Sequence, residues 1–173
     1  SIYADLLVID ARETLTHYTE KPPTRFIRDL LEDAQCPVLL VPEKYKPVGK
    51  ISLLYNGDPS SVYAIKMFSY LFPAFSNLET GVISINRINT SLHMPDNKLM
   101  KEFVKRHFPK AGYTVKKGWA EEEITRHLKE QHENTLVVLG AYRRGPVSRW
   151  FRESMADVLM KETRLPLFIA HHK

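Results

Sequence analysis

The chain has 173 residues, 43% of them hydrophobic and 26% charged, with a net charge of +5, which is ordinary for a globular α/β or α+β domain and excludes a disordered or fibrous chain. No apolar run approaches the roughly 18 residues a membrane helix needs, and the single cysteine, Cys36, excludes an internal disulfide and fits a reducing cytoplasm. The positive charge is mixed with acids along most of the chain, so it gives no nucleic-acid footprint and no membrane-surface stripe.

In chain order, Ala4–Asp10 reads as a buried strand, Ala11–Thr24 as a polar loop ending in Pro22-Pro23, Phe26–Ala34 as an amphipathic helix and Cys36–Val41 as a second strand. Pro42–Gly49 is a proline-containing linker. A longer unit follows. Lys50–Tyr55 is a strand, and Asn56-Gly-Asp-Pro-Ser-Ser61 supplies turn and cap chemistry before a helix with Ile65, Phe68 and Phe72 in its stripe. Thr80–Ile85 is a strand. Asp96–Phe108 is a helix with Leu99, Met100, Phe103, Val104 and His107 on one side, and Tyr113–Trp119 alternates as a half-buried edge strand. Glu121-Glu-Glu123 opens a helix at the positive end of its dipole, with Ile124 and Leu128 inward.

The last stretch repeats the first. Leu136–Leu139 is a continuous apolar run, as in a strand covered on both faces, and Gly140 ends it where freedom in φ is expected. A helical stripe runs through Phe151, Met155, Val158 and Leu159, and Leu165–Ala170 closes the chain as another strand with Pro166 near its start. Leu6 aligns with Leu136 and Pro37 with Pro166, a period of about 130 residues, too long for a solenoid and fitting two tandem α/β domains. The reading is therefore 1–48 as the β-α-β tail of a first domain and 49–173 as a complete domain, a parallel five-stranded α/β sandwich with helices on both faces. The absence of an initial methionine fits Ser1 as a processing or cloning boundary.

These residues resemble a known family. The element order is that of a universal stress protein. Asn56-Gly-Asp-Pro-Ser-Ser61 resembles the family's strand-end Asp-Gly-Ser-Pro-x-Ser, and Cys36-Pro-Val-Leu-Leu-Val-Pro42 resembles its habitual last strand. Gly140–Ser154 has the spacing of the Gly-x2-Gly-x9-Gly-Ser/Thr motif of the nucleotide-binding members, with Val147-Ser148-Arg149 inside it. The resemblance implies a Rossmann-like fold of strand order 3-2-1-4-5. It also implies last strands that pair antiparallel, here Cys36–Val41 with Leu165–Ala170, within one chain or in a homodimer. An upstream stretch of about 100–130 residues would complete the first domain.

The motif departs from the pattern where the chemistry lies. Glycines let backbone N–H groups close around a triphosphate at a helix N-terminus. Gly140 and Ser154 are retained, but Arg143 and Glu153 replace the second and third glycines, and Asn56 stands where the family has a ribose-binding Asp. In the first copy, Asp10 aligns with Gly140 and Arg25 with Ser154. The site residues the resemblance implies are thus Asn56, Gly140, Arg143, Ser148 and Ser154, as a degenerate nucleotide site. Arg144 and Arg149, with Arg152, could bind an anion through bidentate forks, although a run of surface arginines is usually solvated. Neither a metal site nor a catalytic residue emerges. His127 and His132 miss the i, i+4 spacing, His171-His172 reads as a terminus, and no histidine is placed to activate Ser148 or Ser154. Trp119 and Trp150 read as packing residues, Cys36 as an unreactive core thiol, and Asn89-Thr-Ser91 as a glycosylation pattern without meaning in a cytoplasmic chain.

Two functions follow from the resemblance. One is a non-enzymatic, cytoplasmic stress-response regulator with a degenerate nucleotide site and no resident cofactor, acting through dimer or partner surfaces. The alternative is a sensor that binds ATP or another phosphorylated molecule, with at most slow hydrolysis.

Overall fold

Short runs rich in Val, Ile and Leu make the strands, and the amphipathic stretches between them make the helices. The computed structural model of the chain describes residues 2–44, 46–86, 93–131, 134–140 and 154–170. Its first unit is β1 (Leu7–Asp10), α1 (Arg25–Asp33) and β2 (Val38–Val41). Then come β3 (Lys50–Leu54), α2 (Pro59–Leu71), a 3-10 turn (Pro73–Asn77), β4 (Glu79–Asn86), α3 (Asn97–His107) and β5 (Gly112–Lys117). The chain continues through α4 (Ala120–Lys129), β6 (Thr135–Gly140), α5 (Met155–Glu162) and β7 (Leu167–Ala170).

Among the described residues the strands form one sheet in the order β1-β2-β7-β6-β3-β4-β5. From β3 to β7 every pairing is parallel, which is the expected 3-2-1-4-5 order. Strand β2 runs antiparallel to β7, with Leu39 opposite Phe168. One face is covered by α1, α4 and α5, whose Ile27, Leu31, Ile124, Leu128 and Leu159 pack on Val38, Leu40, Val137 and Leu139. The other is covered by α2 and α3, whose Ala64, Ile65, Phe68, Met100 and Val104 pack on Ile51, Leu53, Val82, Val138 and Phe168. Leu136–Leu139 is buried throughout because β6 lies between these two layers.

The units β1-α1-β2 and β6-α5-β7 share one geometry. Leu7 lies opposite Val38 as Val137 lies opposite Leu167, and Asp10 lies opposite Val41 as Gly140 lies opposite Ala170. The Leu7 N–H donates to the Pro37 carbonyl and the Val137 N–H to the Pro166 carbonyl, both at 3.0 Å. Thr24 and Ser154 are the helix N-caps, each accepting on its hydroxyl oxygen from the amide three residues on. Thr24, not Arg25, therefore corresponds to Ser154: the loops from Asp10 and from Gly140 to the cap are of equal length, and the one-residue drift between the units falls after it, where α1 is one residue longer than α5.

Several local expectations change. Leu99 is 69% exposed: only Met100 and Val104 of α3 are fully covered, a narrow i, i+4 seam, and Leu99 sits about 100° around the helix from it. Trp119 does not pack; it is 64% exposed, swung outward by Gly118 at φ +150° as the chain leaves β5 and enters α4. The 3-10 turn after α2 was not anticipated; Phe72 and Phe75, stacked with centroids 5.5 Å apart, anchor it to the core. Trp150, Phe151, His132, His171, His172 and Asn89–Ser91 lie outside the described residues.

Candidate functional site

The strand order reverses between β3 and β6, which are hydrogen-bonded neighbours from Lys50↔Thr135 to Leu53↔Val138. Their carboxyl ends carry Asn56 and Gly140, so the fold places these two motif residues at adjacent strand ends. At such a reversal the connections diverge to opposite faces and leave a crevice.

The β3 end is closed by local chemistry. The Asn56 side chain accepts from the Asp58 N–H at 3.0 Å and donates from Nδ2 to Asp58 Oδ2 at 2.9 Å. Gly57 holds φ +86°, and a Cβ there would lie 2.8 Å from the Pro95 Cβ. Glycine is needed at that point both for the turn and for the close approach. Pro95 belongs to a segment drawn across the strand end: the Tyr55 hydroxyl donates to the Pro95 carbonyl at 3.1 Å, and Asn86 Nδ2 donates to the His93 carbonyl at 2.8 Å. Burial raises the Tyr55 phenol above its ordinary pKa, with the nearby Asp96 carboxylate adding to the shift.

Gly140 is a glycine for a different reason from the one expected. It has no left-handed φ; Gly57 and Gly118 are the positive-φ glycines among the described residues. Instead a Cβ on Gly140 would fall 2.5 Å from the carbonyl carbon and oxygen of Ser60 and 2.6 Å from the Ser61 nitrogen. The first turn of α2 presses directly on the end of β6. Pro59 starts that helix and Asp58 precedes it; the Asp58 carbonyl accepts from the Ser61 hydroxyl at 2.7 Å, and its side chain makes no cap bond.

Ser154 opens α5. Its Oγ accepts from the Asp157 N–H at 3.1 Å, so the hydroxyl is already engaged in capping. Asp157 is buried in the first turn, with Arg28 of α1 at 4.0 Å from its carboxylate. Arg143, Arg144, Ser148, Arg149, Arg152 and Glu153 lie outside the described residues. The structure thus brings together Asn56 and Gly140, and adds Tyr55, Asp58 and Pro95, which the motif did not single out. Asp58 was legible as the residue following Asn56-Gly57; Pro95 carried no local signal, being a contact from 38 positions away.

In the first unit the place of Gly140 is taken by Asp10, whose carboxylate accepts from the Arg12 N–H at 2.8 Å, while Arg12 bridges to Glu43 at 2.9 Å. Cys36 is buried. Among the described residues no group of three or more His, Cys, Asp or Glu side chains could hold a metal, and no helix is long and apolar enough to cross a membrane.

An open, mostly parallel sheet with helices on both faces and a reversal of strand order between β3 and β6 is the architecture of the doubly wound α/β proteins. Comparison with solved structures narrows the class. A universal stress protein from Archaeoglobus fulgidus DSM 4304 superposes with a TM-score of 0.62 at 15% identity, over 83% of this chain and 52% of its own. A putative universal stress protein from Pseudomonas aeruginosa UCBPP-PA14 gives 0.62 at 17% identity, over 96% of this chain and 63% of its own. A hypothetical protein solved as a test case of structural genomics gives 0.55 at 16% identity, over 74% of this chain and 99% of its own. The chain has the universal stress protein fold, and it spans about half the length of the Archaeoglobus protein. No family model matches the sequence, and no curated protein matches it.

Proposed function

We propose that the chain acts as a universal stress protein-like regulator in a cytoplasmic setting, without catalysis, through surfaces offered to a second copy or another protein. Its nucleotide site is degenerate. The observation that carries this reading is the clasp between Asn56 and Asp58 at the end of β3. A residue that would face a ribose is spent on its neighbour, and it brings a carboxylate to the mouth of the crevice, where it repels a phosphate. The retained glycine gives no counterweight, since packing against Ser60 and Ser61 accounts for Gly140 without any ligand. Arg143 and Glu153 in place of glycines act in the same direction, by restricting the backbone and by adding a second carboxylate.

Titration with a fluorescent ATP analogue and magnesium, at low and at moderate salt, tests the proposal. Dissociation in the high micromolar range or weaker is expected, from the loss of several charge-assisted contacts. The combined change Asn56→Asp, Arg143→Gly and Glu153→Gly should tighten binding by about tenfold or more. Low-micromolar binding by the unchanged protein would overturn the degenerate-site reading and establish the sensor of ATP or another phosphorylated ligand, with Arg143, Arg144 and Arg149 as its phosphate ligands.

A further inference from the structure

We propose that the β5 edge is a docking site for an extended acidic peptide of a partner protein, which adds to the sheet as a further strand and sets its carboxylates against the lysines of α3 and β5. This rests on the reading of the chain as a regulator that works through partner surfaces, and gives one such surface a place and a chemistry. Charge that is mixed over most of the chain is concentrated here. From Asn97 to Lys117 there are seven lysines and arginines and a single acid, Glu102. That stretch alone exceeds the net +5 of the whole chain.

Helix geometry sorts these cations. Met100 and Val104 hold α3 against the sheet, while Lys98, Lys101 and Lys105 follow one another at i, i+3 and i+7 along its exposed surface. Lys101 fixes which way that row faces. Its ammonium lies 5.5 Å over the ring of Tyr113 on β5, and the Tyr113 hydroxyl donates to the Lys101 carbonyl at 3.5 Å. The row therefore runs beside the edge of the sheet. Val115 packs under α3, so Tyr113 and Lys117, two positions to either side, share that face, and Lys116 takes the other. Among the described residues Lys98, Lys105 and Lys117 make no ion pair, and neither does Glu102.

The strand supplies the other half of the site. Strand β5 is last in the sheet, with β4 on one side and none on the other among the described residues. The Gly118 N–H donates to the Asn86 carbonyl at 3.1 Å. By alternation, the backbone groups of Thr114 and Lys116 turn towards β4, and those of Tyr113, Val115 and Lys117 turn outward. Donors and acceptors in that repeat match another peptide strand, the pairing by which sheet edges capture extended segments. A nucleic acid fits less well. Its phosphates only accept, so the outward carbonyls would stand unpaired beside negative charge, and the Tyr113 ring face is already taken by Lys101. A second copy of this chain is refused, because two such edges would set lysine against lysine. An acidic strand turns the same lysines from a block into the basis of selection.

A fluorescein-labelled, capped octapeptide of alternating glutamate and valine tests the proposal, by anisotropy and by hydrogen exchange on the 173-residue chain. Binding is expected, and it should weaken as salt rises. N-methylation of alternate peptide amides, at the glutamates in one analogue and at the valines in another, should cost about tenfold or more in one of the two. Lys98→Glu with Lys105→Glu should cost about tenfold as well, and should leave the melting curve unchanged because both side chains are exposed and unpaired. In the complex the amides of Tyr113, Val115 and Lys117 should exchange about tenfold more slowly, with those of Thr114 and Lys116 little changed. No binding at about millimolar peptide, indifference to both N-methylated analogues, or those three amides left unprotected would each overturn the proposal. So would tighter binding of an oligothymidylate of equal charge, which would assign the lysines to nucleic acid. The ATP titration is read separately: this surface can fail while the degenerate-site reading stands, and tight nucleotide binding can overturn that reading while the peptide still docks.

Discussion

Leu39 lies opposite Phe168 at the centre of the β2-β7 ladder, and the two residues stand at the same position of the two β-α-β units. Val38 faces Ile169 and Leu40 faces Leu167 on either side, so the pairing is symmetric about that central pair. Equivalent positions do not bear equal loads. Phe168 is fully buried, with its ring 5.2 Å from Phe68 and 5.9 Å from Phe72, whereas Leu39 is only partly covered. Phe168→Ala should cost about 3–5 kcal/mol, the range for truncating a buried aromatic side chain, and Leu39→Ala markedly less. Urea unfolding of both variants checks this; equal costs would mean that the Leu39 face is covered as well as the Phe168 face.

Gly140→Ala should destabilise the protein by about 1–3 kcal/mol, the usual cost of overpacking, because the new methyl meets the backbone of Ser60 and Ser61 rather than a flexible side chain. Gly81→Ala is the control. It lies within β4 with nothing within 4 Å of the added methyl, so it should be neutral or stabilising by about 0.5 kcal/mol. Thermal or urea melts compare the two; an unperturbed Gly140→Ala variant would mean that α2 can withdraw from β6.

His127 gives the stability a pH dependence of known sign. Burial holds its imidazole below the ordinary pKa, Lys116 and Lys50 push the same way, and Glu130 opposes them. Between its folded pKa and the unfolded value of about 6.5, the unfolded chain binds a proton that the folded chain does not. Its contribution to stability therefore rises with pH through that window and is complete above about 6.5. Urea midpoints should be higher at about pH 7.5 than at about pH 5.5, and His127→Gln should reduce the difference. A difference unchanged by the substitution would place the titrating group elsewhere.

The fold was legible wherever burial wrote itself into consecutive residues. Leu136–Leu139 announced an interior strand and Lys50–Tyr55 the strand β3, and the alignment of Leu6 with Leu136 and of Pro37 with Pro166 foretold a register that recurs in both units. What escaped depends on contacts between distant segments. The space that forbids a side chain at Gly140 belongs to α2, and the proline that closes on Gly57 arrives from the far side of β4. Thr24 was mistaken for a position before the cap because the one-residue drift between the units was placed in the loop, whereas it falls after the cap, where α1 is one residue longer than α5. The exposure of Leu99 and Trp119 follows from how narrow a seam α3 buries and from one glycine turn, neither visible in hydrophobicity alone.

The reversal between β2 and β7 gives the sheet two carboxyl ends. Strands β1 and β2 finish at one rim, with Asp10, while β3 to β7 finish at the opposite rim, with Asn56 and Gly140. The rims are a strand length apart, about 17 Å for five residues. Anything that reads one rim is out of reach of the other, so each can lose or change its chemistry without disturbing its counterpart. A partner that senses both would have to straddle the molecule.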